Sequence, residues 1–224
     1  MHLTKFAGGG APLGASPLDA LYGRVGQYYA EKIHVHGPTP RGVDWPCGMT
    51  QKLRFVQLLK ISGWNRNFRL NDVGCGYGAL LAFLRERYGR ARIHYHGIDI
   101  CSQMIDAAQS LWREDKGASF SVGCDSPSRA DYSVASGIFN VKLNESDELW
   151  TQFIKVTIGR MFADSEIGAA VNFLATLPPA ANPRHELYRS SPEFWANYCE
   201  RELGAKVEVL SNYGIQEFTL LARH

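Results

Sequence analysis

A chain of 224 residues with a formal net charge of +2 and no clustered run of Lys or Arg suffices for one filled core and offers no stripe for a phosphate backbone, which disfavours nucleic acid as a partner. Five scattered cysteines without a C-x-x-C pair argue against a disulfide framework and a zinc site, so reduced thiols and a cytoplasmic setting are expected. No apolar run reaches the length of a membrane span, and the opening MHLTKFAGGGAPLGASP lacks the apolar core of a secretory signal.

Residues 1–15, rich in Gly, Ala and Pro, read as a flexible tail. Ser16-Pro17-Leu18-Asp19 then has the marks of a helix start: a Ser cap, Pro in the first turn and an acid at the positive end of the dipole. Leu18, Leu21, Tyr22, Val25, Tyr29 and Ile33 follow at helical spacing. Gly23 and Gly26 interrupt that helix at about 1 kcal/mol each, so it is expected to be easily displaced, as a lid over 16–62 would need. GPTPRGVDWP (37–46) is a turn-rich connector, and a second helix is expected from about Thr50 to Ile61, ending at Gly63.

The most informative stretch is LNDVGCGYGALLAFL, residues 70–84. Phe68, Leu70 and Val73 read as a strand, the glycines at 74, 76 and 78 strip Cβ atoms from one short turn, and Ala79–Leu84 suits a helix. Strand, bare turn and helix N-terminus in that order form a seat for a ligand. Gly74, Gly76 and Ala79 also satisfy the loose dinucleotide pattern, with Asp99 at a plausible distance. Asp72 tips the balance, because a carboxylate there would repel a pyrophosphate and attract a cationic ligand.

Downstream, Ile93–Asp99 is a strand, followed by a helix capped by Ser102; Ala118–Gly123 and Tyr132–Ser136 are short strands. Leu149, Phe153, Val156 and Phe162 mark a helix, and IGAAVNFLAT (167–176) a strand buried on both faces. Ser191-Pro192-Glu193 repeats the helix start seen at Ser16, and that helix runs to Leu203-Gly204. Lys206–Leu210 and Glu217–Leu221, joined across SNYG, form an antiparallel hairpin. The alternation defines an α/β fold: a doubly wound, mostly parallel seven-stranded sheet with a C-terminal antiparallel hairpin, with 63–224 as the sheet domain to which 16–62 adds a helical lid segment.

Asp72-Val73-Gly74-Cys75-Gly76-Tyr77-Gly78 resembles the D-x-G-x-G-x-G signature of class I S-adenosylmethionine-dependent methyltransferases, and the resemblance extends from Gln51 to His224. YYAEKIHVHGPTPRGVDW, QKLRFVQLLK and ASGIFNVKL are similar to a poorly characterised bacterial branch of these enzymes. The resemblance implies S-adenosylmethionine as cofactor, with Asp72, Gly74, Cys75, Gly76 and Gly78 around its methionine part, Asp99 on the ribose, Ile100 and Met104 lining the adenine and Asp125 holding the adenine amino group. Trp45 would cover the methionine end, Arg54 reach its carboxylate, and Ser136 face the transferred methyl. Core or surface roles stand beside these for Trp45, Arg54, Asp125 and Met104.

The absence of N-P-P-Y at Ser136–Asn140 counts against DNA-base and glutamine amino-methylation. The partner expected is a small-molecule acceptor, with Tyr29, Phe139 and Tyr188 as substrate contacts and His36, Asn140 and His185 as catalytic candidates. His34-Val-His36 and His94-Tyr-His96 lack a nearby third ligand, so no metal is expected. Two alternatives stay open: a catalytically silent cofactor-binding protein of the same fold, and an NAD-dependent oxidoreductase.

Overall fold

The computed structural model describes residues 16–63, 67–89, 93–177 and 184–224; the expected tail over 1–15 and part of the segment after the fifth strand lie outside them. The chain opens with α1 (Pro17–His36), where Ser16 and Asp19 form a reciprocal capping box as the Ser-Pro-acid pattern predicts. A 3₁₀ turn (Pro40–Val43) occupies the connector. Helix α2 (Gly48–Leu58) tightens into a 3₁₀ turn (Leu59–Ser62) and stops at Gly63 in the left-handed region.

The repeating part follows as β1 (Phe68–Val73), α3 (Ala79–Tyr88), β2 (Ile93–Asp99), α4 (Ser102–Leu111), β3 (Ala118–Val122), β4 (Ala130–Ala135), α5 (Asp147–Ala163) and β5 (Ser165–Ala175). A two-residue β6 (Arg189–Ser190), α6 (Pro192–Leu203), β7 (Lys206–Leu210) and β8 (Glu217–Arg223) complete it. At α4 the expectation fails in detail: Cys101, not Ser102, holds the cap position, and the carboxylate of Asp99 accepts the Cys101 N–H at 2.9 Å.

The main sheet runs β3-β2-β1-β4-β5-β8-β7, and the short β6 adds an eighth strand by pairing with β5 at Leu174–Ala175. β1 to β5 are mutually parallel, while β8 runs antiparallel between β5 and β7, the predicted hairpin ending. Strand order reverses between β1 and β4, so the crevice beyond their carboxyl ends is where this architecture receives a ligand. β5 is buried from Gly168 through Phe173, as its apolar run requires.

Helix α1 departs from the displaceable element expected from its glycines. Leu21 and Val25 are buried in the same cluster as Trp150, Phe173 and Trp195, so α1 is built into the main core. The connector is tied back onto it, because Tyr28 Oη and Lys32 Nζ donate to Asp44 at 2.7 and 2.6 Å. Core packing outweighs two helix glycines, since one fully buried leucine contributes more than both cost together. Leu21→Ala is therefore expected to destabilise the whole domain by about 2–5 kcal/mol, read as a single cooperative shift in thermal unfolding rather than loss of a local transition.

Candidate active site

The site begins at the end of β1. Gly74, Gly76 and Gly78 all take positive φ (74°, 56° and 85°), conformations open to glycine without strain. Space matters as much as dihedral: a methyl group on Gly74 would fall 2.1 Å from Ile138 Cγ2, and one on Gly76 2.9 Å from Val43 Cγ1. The turn is pinned to β2 through Gly74 N–H and Cys75 N–H, which both donate to the Ile98 carbonyl at 2.7 and 3.0 Å. Gly78 has a different task from the one expected. It caps α3 and makes room for Trp112, whose indole N–H donates to the Tyr77 carbonyl on the far side of the turn.

Above this turn lies a cleft of about 950 Å³, counting the part open to solvent. Its wall takes Asp72, Gly74, Cys75, Gly76, Asp99 and Ile100 from the ends of β1 and β2, and Met104 from α4. Ser136, Gly137 and Ile138 come from the turn after β4, and Tyr29, Val43 and Trp45 from α1 and the connector. The structure thus brings together most of the cofactor residues named from sequence, with Tyr29 beside them. The connector covers the cleft because two glycines admit it: Val43 packs on Gly76, and a methyl on Gly137 (φ 76°) would fall 2.2 Å from Trp45 Cζ2.

Two carboxylates define the electrostatics. Asp72 is 2 % exposed and accepts a hydrogen bond from Tyr95 Oη at 2.6 Å; burial pushes its carboxyl up to about 7 against the helping effect of that bond. Asp99 is oriented by the Gly76 and Cys101 amides, each donating at 2.9 Å to a different oxygen, and burial again raises its carboxyl above the usual range. No Lys, Arg or His side chain lines the cleft among the described residues. Burial raises the Tyr29 phenol as well, so it stays a neutral hydrogen-bonding group.

Several expected site residues lie elsewhere. Arg54 is buried at 6 % exposure, but its guanidinium is committed to Glu217 and stacked on Trp45, so it is off the cleft wall. Asp125 is mostly exposed and paired with Arg160 at 2.8 Å; its neighbour Cys124 is the wall residue instead. Phe139 is a core ring stacked on Phe173 at 5.2 Å, and Tyr188 is buried with its hydroxyl 3.2 Å from Thr151 Oγ1. Asn140 is buried off the wall, and neither atom of its amide is hydrogen-bonded. His36 is exposed at the end of α1, and His185, exposed too, sits by Asn144 and Glu186.

The wall residues missed from sequence include Tyr22, Gln51, Phe55, Phe153 and Thr157. Tyr22 and Phe153 belong to helical stripes that read as ordinary core, so periodicity alone could not single them out. Among the described residues no group of three or more His, Cys, Asp or Glu could hold a metal ion, and no helix is long and apolar enough to cross a membrane.

A glycine cradle whose missing Cβ atoms leave backbone accessible, one buried and one half-buried carboxylate with no basic partner on the wall among the described residues, and apolar and aromatic walls fit S-adenosylmethionine, which carries an ammonium, a sulfonium, ribose hydroxyls and a flat base. A family model described as "Methyltransferase domain" matches residues 71–147. A Mycobacterium tuberculosis (strain ATCC 25618 / H37Rv) protein provisionally named as a methyltransferase, Rv1506c, is 38 % identical over 156 residues, which are 70 % of this chain and 93 % of the relative. The chain belongs to the class I methyltransferases: it is an S-adenosylmethionine-dependent methyltransferase.

Solved structures share the fold. Burkholderia thailandensis 1,6-didemethyltoxoflavin-N1-methyltransferase, bound to 1,6-didemethyltoxoflavin and S-adenosylhomocysteine, aligns with a TM-score of 0.65 at 17 % identity over 96 % of this chain and 92 % of its own. Human N-acetylserotonin methyltransferase with S-adenosylmethionine gives 0.64 at 14 % identity, covering 93 % of this chain and 60 % of its own.

The raised carboxyl of Asp72 has a signed consequence. A carboxyl held at about 7 in the folded chain and at 3.8 when free makes the folded state the better proton binder, so its contribution to stability is present at low pH and lost as pH rises toward 7. Asp72→Asn, which never ionises, is therefore expected to unfold at higher temperature than the parent without cofactor, by a margin that grows from about pH 5 to 7 and then levels off. A thermal unfolding series of both proteins across that range checks it.

Proposed function

We propose that the chain transfers the methyl group to a small, flat, uncharged molecule, at a nitrogen or another atom nucleophilic enough to need no strong base, and that segment 16–62 roofs the cleft during the reaction. S-adenosylmethionine supplies an electrophilic methyl on a sulfonium, and in-line displacement hands it to the acceptor. The observation that carries the acceptor class is the wall's chemistry: five aromatic rings, from Tyr22, Tyr29, Trp45, Phe55 and Phe153, and no basic side chain among the described residues.

Aromatic walls favour a flat acceptor by stacking and burial. A carboxylate or phosphate acceptor would enter with nothing cationic to meet it and would face Asp72 and Asp99, a contact of like charges. A hydroxyl acceptor would need a base to take its proton. The histidines expected for that task, His36 and His185, are solvent-exposed and off the wall. Asp72 and Asp99 hold the cofactor end in this reading and are already engaged by Tyr95, Gly76 and Cys101.

What the chain supplies is therefore geometry and a dry setting. Holding acceptor and methyl in near-attack arrangement accounts for a large part of the rate of such a displacement. The same fold serves 1,6-didemethyltoxoflavin and N-acetylserotonin in the two neighbours above, which agrees with a small-molecule acceptor.

Two measurements test this. Calorimetric titration with S-adenosylmethionine and S-adenosylhomocysteine should give binding that Asp99→Ala weakens at least about tenfold, since it removes a charge-assisted acceptor. Transfer of labelled methyl should then be found with aromatic amines and nitrogen heterocycles and not with carboxylates or phosphate esters. Turnover confined to anionic acceptors would overturn the proposed acceptor class.

A further inference from the structure

Behind the cleft wall, five residues from five separate parts of the fold form a closed ring. Gly137 N–H donates to Asn172 Oδ1 on β5 at 2.8 Å, and Asn172 Nδ2 donates to Glu217 Oε2 on β8 at 3.1 Å. Glu217 accepts Arg54 Nε of α2 at 2.6 Å on that same oxygen, and Arg54 Nη2 on the other. The guanidinium carbon of Arg54 stands 3.9 Å from the centre of the Trp45 ring, and Trp45 lies on Gly137, which closes the circuit. Asn172, Glu217 and Arg54 are 0, 4 and 6 % exposed.

Stability alone is a poor reason for this arrangement. Desolvating two charges costs about what their attraction returns, and well-packed apolar residues in the same volume often do as well or better. The ionic ring supplies orientation that an apolar filling would not. A guanidinium gripped in bidentate fashion by a carboxylate has a fixed plane, and that plane sets where the indole rests. Asn172 uses both ends of its amide, so neither end is free to turn. Because a peptide unit is planar and trans, anchoring Gly137 N–H also aims the Ser136 carbonyl in the opposite direction. Trp45, Ser136 and Gly137 all line the cleft.

We propose that Glu217 is a positioning residue: through Arg54 and Asn172 it holds the Trp45 ring and the Ser136–Gly137 peptide in register, and so sets the shape of that end of the cleft and the flat ligands it admits. The proposal rests on the functional reading above only in taking this cleft as the one that holds cofactor and acceptor.

The test uses full-length protein labelled with 5-fluorotryptophan, with the Trp45 fluorine line assigned by its loss in Trp45→Phe. The double variant Arg54→Met, Glu217→Leu replaces the pair with apolar side chains, and Glu217→Gln keeps the shape and one acceptor oxygen while removing the charge. The double variant removes both buried charges but leaves the Asn172 Nδ2 donor unpaired, so it is expected to unfold somewhat below the parent's temperature while staying folded, and to show a shifted or broadened Trp45 line and roughly tenfold weaker S-adenosylhomocysteine binding. Glu217→Gln should move the Trp45 line in the same way, which decides the matter should the double variant not fold. A folded variant whose Trp45 line is unchanged and whose affinity stays within about twofold of the parent would reduce the ring to a stability element and overturn the proposal. If the parent itself bound neither cofactor form, the functional reading would fail, while the Trp45 line would still decide this one.

Discussion

Two carboxylates at the ends of adjacent strands, Asp72 buried and Asp99 half-buried, with no basic side chain facing them across the cleft among the described residues, are the constraint on which the site depends. Removing a carboxylate from water without a partner is costly, and the usual escape is a proton. Asp72 takes that escape in part, with its carboxyl raised to about 7 and one bond from Tyr95 to steady it. The raised value is thus a measure of unmet demand for positive charge. On the reading proposed above, a cationic cofactor would meet that demand and displace the proton.

The rest of the architecture serves to keep these carboxylates in place. Parallel strands bring Asp72 and Asp99 to the same edge, and the reversal of strand order between β1 and β4 opens the crevice above them. The glycine turn leaves backbone where side chains would otherwise fill the space. Helix α1 and the connector, anchored by Leu21 and Val25 below and by Asp44 above, press Val43 and Trp45 down onto Gly76 and Gly137, over the cleft that the carboxylates line. Lowering the local dielectric in this way strengthens every charge interaction inside.

The fold was legible in the sequence because its signals are local. Ser-Pro-acid starts, a glycine stop at 63, period-two and period-3.6 stripes and the bare turn at 74–78 each report on a few neighbouring residues. That most of the residues expected around the cofactor line one cleft follows for the same reason, since they come directly after strand ends. The acceptor end was not legible in this way. Whether Phe139 faces a cleft or a core depends on Phe153 and Phe173, which come from α5 and β5. Arg54 was read as a carboxylate hand because Glu217 lies 163 residues away and nothing in the local pattern pairs them. Asp125 misled for a similar reason, its partner Arg160 arriving from the far end of α5.

The central claim is that S-adenosylmethionine binding turns a partly protonated Asp72 into an ionised one. It is tested most directly by calorimetric titration near pH 7 in several buffers of different ionisation enthalpy, which counts protons exchanged on binding. The account predicts release of a substantial fraction of a proton near pH 7, shrinking as the pH is raised and absent in Asp72→Asn. Binding with no proton release at pH 7, or with equal release in the parent and in Asp72→Asn, would contradict it.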